Sequence, residues 1–297
     1  MCGIVGLFLK NPELEPALGT LLSGMLATMT ERGPDSAGFA VYGPDTVGVK
    51  LTLRGADSEM LREAVQALSA HLGGETQTVM RDTHAVLVID PARMDEAKAW
   101  LAHHRPEIDL VGFGRRMEIF KETGLPASVA ARFDLAGMAG THGIGHTRMA
   151  TESAVTTNGA HPFSTGADEC LVHNGSLSNP NDLRRRLERE GLRFATRNDT
   201  EVAAGYLTWR MREGASLAEA LEAGLSDLDG FYTFVVGTRT GFAVLRDPIA
   251  CKPAVMAETD DYVAFGSEYR VLVGLPGIDA ARVFEPEPAK VYAWERH

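Results

Sequence analysis

The apolar positions fall into two rhythms. Residues 3–9 read GIVGLFL, a run with no polar break, and AGFAVYG (37–43) and VGVKLTLRG (47–55) are similar, each closed by glycine. Runs of this length, rich in strand formers, predict strands. Residues 14–31 have helical spacing and stop at ERGPDS, and 56–72 alternate as an amphipathic helix. The stretch 78–136 has its own order: a strand in THAVLVID, a helix in PARMDEAKAWLAHH with proline in its first turn, a strand at the start of DLVGFGRRMEIFK and a short helix in PASVAARF. From 141 the chain predicts a strand running into a loop (GIGHTRMAT) and a strand ending in a polar turn (ECLVHNGSLSN). Two helices follow, NPNDLRRRLEREG with Asn/Asp caps and DTEVAAGYLTWRMREG opened by an Asp-Thr cap. GFYTFVVGT, GFAVLRDP, PAVMAE and DYVAFGSE are strands at hairpin spacing. Strands and helices in these proportions predict an α+β layered fold, with no internal repeat.

Composition narrows the class. The chain has 297 residues, 44% hydrophobic and 23% charged, with net charge -11. These values describe a globular chain, taken as a single domain over 1–297 with an inserted α/β segment at 52–140. The acidic balance argues against nucleic acid as a partner. No apolar run reaches the roughly 18 residues of a membrane span, and the start lacks the features of a signal peptide. Three separated cysteines make no disulfide framework, so a cytoplasmic protein with reduced thiols is expected.

The chemistry centres on Cys2. If Met1 is removed, one residue carries both a thiol and a free α-amine, and an N-terminal amine serves as base for its own side chain. The amine's ordinary pKa of roughly 7.7–8 leaves a useful neutral fraction. Taken alone, Cys2 also fits an incidental buried cysteine. Arg148 and Thr151, after a strand, suit a carboxylate. Asn174 and Gly175 offer an amide and a backbone N–H to a developing oxyanion. Asp199 opens a helix, where an N-cap is the ordinary role. His142 and His146 stand four apart on a strand and would not converge on a metal. The Gly140, Gly143 and Gly145 run lacks the setting of a dinucleotide site.

In chain order, MCGIVG, RGPDSAG, GIGHTRMAT, NGAHPF, VHNGSLSN, NDTEV, DGFYTFVV, LRDPIACKP and FGSE resemble the class II glutamine amidotransferases, the N-terminal-nucleophile glutaminases. The resemblance spans residues 2–50 and about 141–268. It implies a four-layer αββα sandwich, Cys2 as nucleophile with its own amine as base, and Asn174 and Gly175 as the oxyanion hole. It implies that Arg148 holds the glutamine α-carboxylate with Thr151 nearby, that Asp199 pairs with the α-ammonium, and that Arg32 orders the N-terminus. His161, in AHPF, is either a supporting group or a structural histidine. Met149 and Glu152 depart from the aromatic or histidine residues of several relatives. A retained Met1 would block the amine and partly fill the glutamine cavity.

The chain runs about 30 residues past FGSE, so no synthase domain is expected in it. The resemblance is therefore to stand-alone amidotransferase subunits of N-methylglutamate synthase and glutamate-synthase-like complexes. It implies L-glutamine as substrate, ammonia delivered to partner synthase subunits of a hetero-oligomer, no cofactor in this chain and FMN in the partner. A stand-alone N-terminal-nucleophile amidohydrolase and a non-catalytic regulatory subunit are the alternatives.

Overall fold

The computed structural model describes residues 2–73, 76–150 and 155–296. β1 (Gly3–Leu9) passes through a 3-10 turn (Pro12–Ala17) into α1 (Leu18–Thr28). Then come β2 (Ser36–Tyr42), β3 (Val49–Arg54), α2 (Ser58–Leu72), β4 (Gln77–Arg81), β5 (His84–Ile89), α3 (Met94–His104), β6 (Asp109–Gly114), β7 (Met117–Thr123), α4 (Pro126–Arg132) and β8 (His142–Arg148). The second half holds β9 (Phe163–Gly166), β10 (Glu169–Leu177), α5 (Pro180–Arg189), α6 (Asp199–Arg212), α7 (Leu217–Asp227), β11 (Gly230–Gly237), β12 (Gly241–Arg246), β13 (Val255–Glu258), β14 (Tyr262–Gly266), β15 (Arg282–Phe284) and β16 (Val291–Glu295).

Two sheets face each other. One has the order β15-β13-β14-β1-β8-β2-β7 and the other β16-β12-β11-β10-β9. The alternation of β1 explains the arrangement. Val5, Leu7 and Leu9 join the core under α1, while Ile4 and Phe8 join the core between the sheets. In β11, Tyr232, Phe234 and Val236 pack toward α6 and α7, and Val235 packs between the sheets. Both faces of these strands are dry, so their sequences read as unbroken apolar runs rather than alternating ones. Three stacked cores separate four layers, helix–sheet–sheet–helix, which is the expected αββα sandwich.

Residues 49–114 form a separate unit. The order β3-α2-β4-β5-α3-β6 folds into an antiparallel sheet, β4-β5-β3-β6, with its own apolar core. This is the split βαβ, ferredoxin-like arrangement. The segment 52–140 therefore divides. Its first part lies in this subdomain, while β7 is an edge of the large sheet and Phe120 and Phe133 lie in the sandwich core. Asp168 ties the return point to the β9–β10 turn, accepting the N–H groups of Arg115, Arg116 and Met117 at 2.8, 2.9 and 2.9 Å.

Several elements differ from the sequence reading. The helix expected over 14–31 begins at Leu18, with Pro16 in the 3-10 turn before it. α7 was not foreseen, although Ser216 and Glu219 close a capping box at its start. Asn179 does not cap α5: its side chain bonds Asp227 O and Asp229 N instead. Among the described residues, no helix is long and apolar enough to cross a membrane.

Candidate active site

The central strands of both sheets end at one cleft of about 830 Å³, lined by Cys2, Arg148, His161, Gly175 and Asp199 among others. Cys2 immediately precedes β1, Arg148 ends β8, Gly175 lies in β10 and Asp199 is the first residue of α6. Chain topology thus gathers side chains that are up to 197 positions apart (199 − 2) in sequence. Thr151 lies outside the described residues, as do Met1 and Glu152.

Cys2 is held by its carbonyl. That oxygen accepts Arg32 Nε at 3.0 Å and Asn174 Nδ2 at 3.1 Å, while the sulfur is 3.9 Å from Met149 O. Arg32 is braced by Glu268 Oε1 at 2.7 Å, and the hydrogen bond from Arg32 helps hold the Glu268 carboxyl below the usual carboxylate range. RGPDS and FGSE therefore meet at the N-terminus. Asp35 of the same turn receives Ala150 N on Oδ2 at 2.7 Å and gives its own N–H to Arg148 O at 3.1 Å, fixing the exit from β8.

Asn174 is oriented from behind. His146 Nε2 donates to Asn174 Oδ1 at 3.2 Å and to His173 O at 3.1 Å, which turns the Asn174 amide nitrogen toward Cys2 O and Ser267 Oγ (3.2 Å). Gly175 has φ +142, and a Cβ there would lie 1.9 Å from Phe231 O, so this position admits only glycine. Asp199 is not the cap of α6. Asn198 Oδ1 accepts Thr200 N at 2.8 Å, and this leaves the Asp199 carboxylate to accept Leu177 N at 2.9 Å and to face His173 Nδ1 at 3.9 Å.

Below the cleft lies a histidine cluster that the sequence reading did not assemble. The Thr200 hydroxyl is 2.7 Å from His161 Nε2 and 3.0 Å from His173 Nδ1, and the rings of His161 and His146 lie 4.0 Å apart. One hydroxyl proton serves two nitrogens, so Thr200 donates to one ring and accepts from the other. Burial keeps all three imidazoles neutral. It pushes His146 down to about 3 and His173 to about 4, and it drives His161, beside His146, well below its ordinary value. His161 is thus a cleft-lining group and part of this network. The signals were in the sequence, His173 next to Asn174 and Thr200 next to Asp199, but nothing local said that they meet.

Among the described residues, no group of three or more His, Cys, Asp or Glu side chains is arranged to hold a metal. His142 and His146 face different neighbours: His142 stacks on Tyr42 at 4.0 Å.

Cys2 immediately precedes the first strand of an αββα sandwich and lines a polar cleft. Residues 146–274 match the glutamine amidotransferase domain model. The chain is 62% identical over 296 residues to the glutamine amidotransferase-like protein GlxB of Rhizobium meliloti, covering 99% of this chain and 98% of that protein. It is 32% identical to a putative glutamine amidotransferase of Methanothermobacter thermautotrophicus, covering 99% and 100%. This chain belongs to the glutamine amidotransferase family. The fold is shared with the glutamine phosphoribosylpyrophosphate amidotransferase of B. subtilis, with TM-score 0.63 and 20% identity over 99% of this chain and 47% of that one.

Proposed function

We propose that this chain hydrolyses the side-chain amide of L-glutamine through Cys2 and delivers the ammonia to a partner synthase subunit. The observation that carries the reading is the cleft itself. Cys2 stands in its lining with its carbonyl pinned by Arg32 and Asn174, and the same lining supplies Arg148 for a carboxylate and Asp199 for an ammonium. A guanidinium and a carboxylate bordering one cleft match the zwitterionic end of an amino acid.

The steps follow from these groups. With Met1 removed, the α-amine of Cys2 takes the thiol proton as sulfur attacks the amide carbon. The oxyanion forms beside Asn174 Nδ2 and Gly175, with the substrate oxygen replacing one of the present Asn174 contacts. The C–N bond breaks, the amine's proton goes to the leaving nitrogen, and ammonia departs from a γ-glutamyl thioester. Water then adds with its proton passing to the amine, the C–S bond breaks as that proton returns to sulfur, and glutamate leaves. Arg148, with Thr151, holds the α-carboxylate, and Asp199 the α-ammonium.

We infer that the acceptor chemistry lies in another chain, of N-methylglutamate synthase or glutamate synthase type, with FMN there and no cofactor here. The support is the resemblance of motifs such as MCGIVG, GIGHTRMAT and VHNGSLSN to the amidotransferase subunits of such complexes. Met1-free protein incubated with 6-diazo-5-oxo-L-norleucine gains one adduct at Cys2 by intact mass, and glutamine competes. Absence of that adduct would overturn the glutaminase reading. Co-purification from the source cell with a flavin-bearing synthase subunit tests the second part, and recovery without such a subunit would count against it.

A further inference from the structure

The segment 155–161 walls one side of the cleft: Thr156, Asn158, Gly159 and His161 all line it. It packs closely on Arg148, and a Cβ on Gly159 would sit 3.0 Å from Arg148 Nη1. The position of this wall therefore sets the space around the guanidinium.

The wall is held from two sides. From the sandwich, consecutive residues of β7 take opposite ends of it. Lys121 Nζ donates to Ala160 O at 2.9 Å, with Pro162 O and Asn158 O at 3.4 and 3.5 Å, and Thr157 donates its hydroxyl proton to Glu122 Oε1. From the inserted subdomain comes Arg54, the last residue of β3. Its Nη1 donates to Asn158 Oδ1 at 3.1 Å and to Asp109 Oδ2 on β6 at 2.9 Å. Arg54 thus bonds the edge strand of the subdomain and the wall of the cleft with one guanidinium. Packing around this link is open: a cavity of about 210 Å³ lies between Asp109 on the subdomain and Lys121, Asn158 and Glu201 on the sandwich.

We propose that Arg54 is a positioning residue through which the inserted subdomain sets the amino-acid end of the cleft, by fixing Asn158 and with it the wall against Arg148. Whatever shifts the subdomain, a docking partner above all, then changes the affinity of the cleft rather than the reactivity of the thiol. The inference rests on the glutaminase reading.

The test uses the concentration dependence of Cys2 labelling by 6-diazo-5-oxo-L-norleucine in the full, Met1-free chain. Arg54→Ala is expected to raise the half-saturating concentration on the order of tenfold, in keeping with the coupling energy of a charged hydrogen bond. The limiting rate stays within about twofold, since the link acts on the amino-acid end of the cleft and not on the attacking atom. Arg54→Lys restores part of the loss. Asn158→Ala removes the same bond from an exposed position, so it reports even where Arg54→Ala folds poorly, and Arg54→Ala adds nothing in its background. Wild-type saturation in Arg54→Ala or Asn158→Ala, or additive effects in the double variant, would overturn the inference while leaving the glutaminase reading intact. A wild-type chain that is not labelled in competition with glutamine would defeat that reading instead.

Discussion

β8 and β10 each carry polar side chains into both ends of the seam between the two sheets, and the two ends are built differently. At the end away from the cleft, His142 Nε2 donates to Thr238 O at 2.9 Å and Nδ1 lies 2.9 Å from the Thr141 hydroxyl. The Tyr42 hydroxyl reaches Asp168 O at 3.2 Å and Cys170 Sγ at 3.3 Å. Both nitrogens of His142 are satisfied. At the cleft end, His146 Nδ1, His161 Nδ1 and His173 Nε2 are buried without a hydrogen-bond partner among the described residues. Buried polar atoms are almost always paired, so a cluster of exceptions calls for a reason. The seam thus ends in a saturated structural joint on one side and, on the other, in a histidine cluster whose outer nitrogens have no partner among the described residues. The two cysteines follow the same division. Cys2 stands in the cleft, while burial pushes the Cys170 thiol up to about 12, where it is inert.

Replacing the cysteines gives the largest contrast. Cys2→Ala abolishes both adduct formation and ammonia release, because it removes the attacking atom. Cys170→Ala leaves the labelling rate at wild type and costs about 1 kcal/mol of stability in a denaturant titration. Loss of labelling in Cys170→Ala would erase the distinction between the ends. Next comes Asn174→Ala, expected to lower turnover by ~10² to 10³, the usual effect of removing an oxyanion donor. Wild-type turnover would sink the assignment of Asn174. Thr200→Val keeps the side-chain volume but strips the hydroxyl shared by His161 and His173. Turnover should fall roughly tenfold, with a stability loss of about 1–3 kcal/mol from two nitrogens left unpaired. Unchanged turnover would make the cluster as purely structural as the His142 end.

What the sequence disclosed follows the same line. Cys2 was singled out by its place next to Met1, and Arg148 and the Asn174-Gly175 pair by their places where strands give way to polar turns, features that are local in the chain. The strands were legible for a similar reason, since strands buried on both faces announce themselves as unbroken apolar runs, whereas the four-layer order was implied by the resemblance of the motifs. Contacts made across the fold were not legible. Ser267 meets Asn174 from 93 residues away, and Thr200 meets His161 and His173 from 39 and 27. Asp199 was read against a capping role that its neighbour Asn198 takes. β15 and β16 are edge strands of three and five residues, β15 largely exposed and β16 half-buried, too short to carry a period on their own. The return of β7 to the large sheet is set by its pairing with β2, which no local pattern in MEIFKET specifies.

The smallest expected effect concerns acid, and there the two ends should agree. Burial depresses His142 and His146 from 6.5 to about 3 and His173 to about 4. A folded-state value below the unfolded one means that the unfolded chain binds protons first. The stability tied to neutral imidazole is therefore fully present above about pH 6.5 and is lost as pH falls toward the folded values. At about pH 5.5, one unit below the ordinary value, each such histidine contributes a loss of about 1.4 kcal/mol. His142→Gln keeps a donor for Thr238 O but removes the titrating ring. The stability difference between about pH 7.5 and pH 5.5, read from denaturant midpoints, should shrink by that amount. The labelling rate at neutral pH should not move. A pH difference equal to that of wild type would mean that His142 is protonated in the folded state, and the joint at the closed end would then be an ionic one rather than a neutral, saturated one.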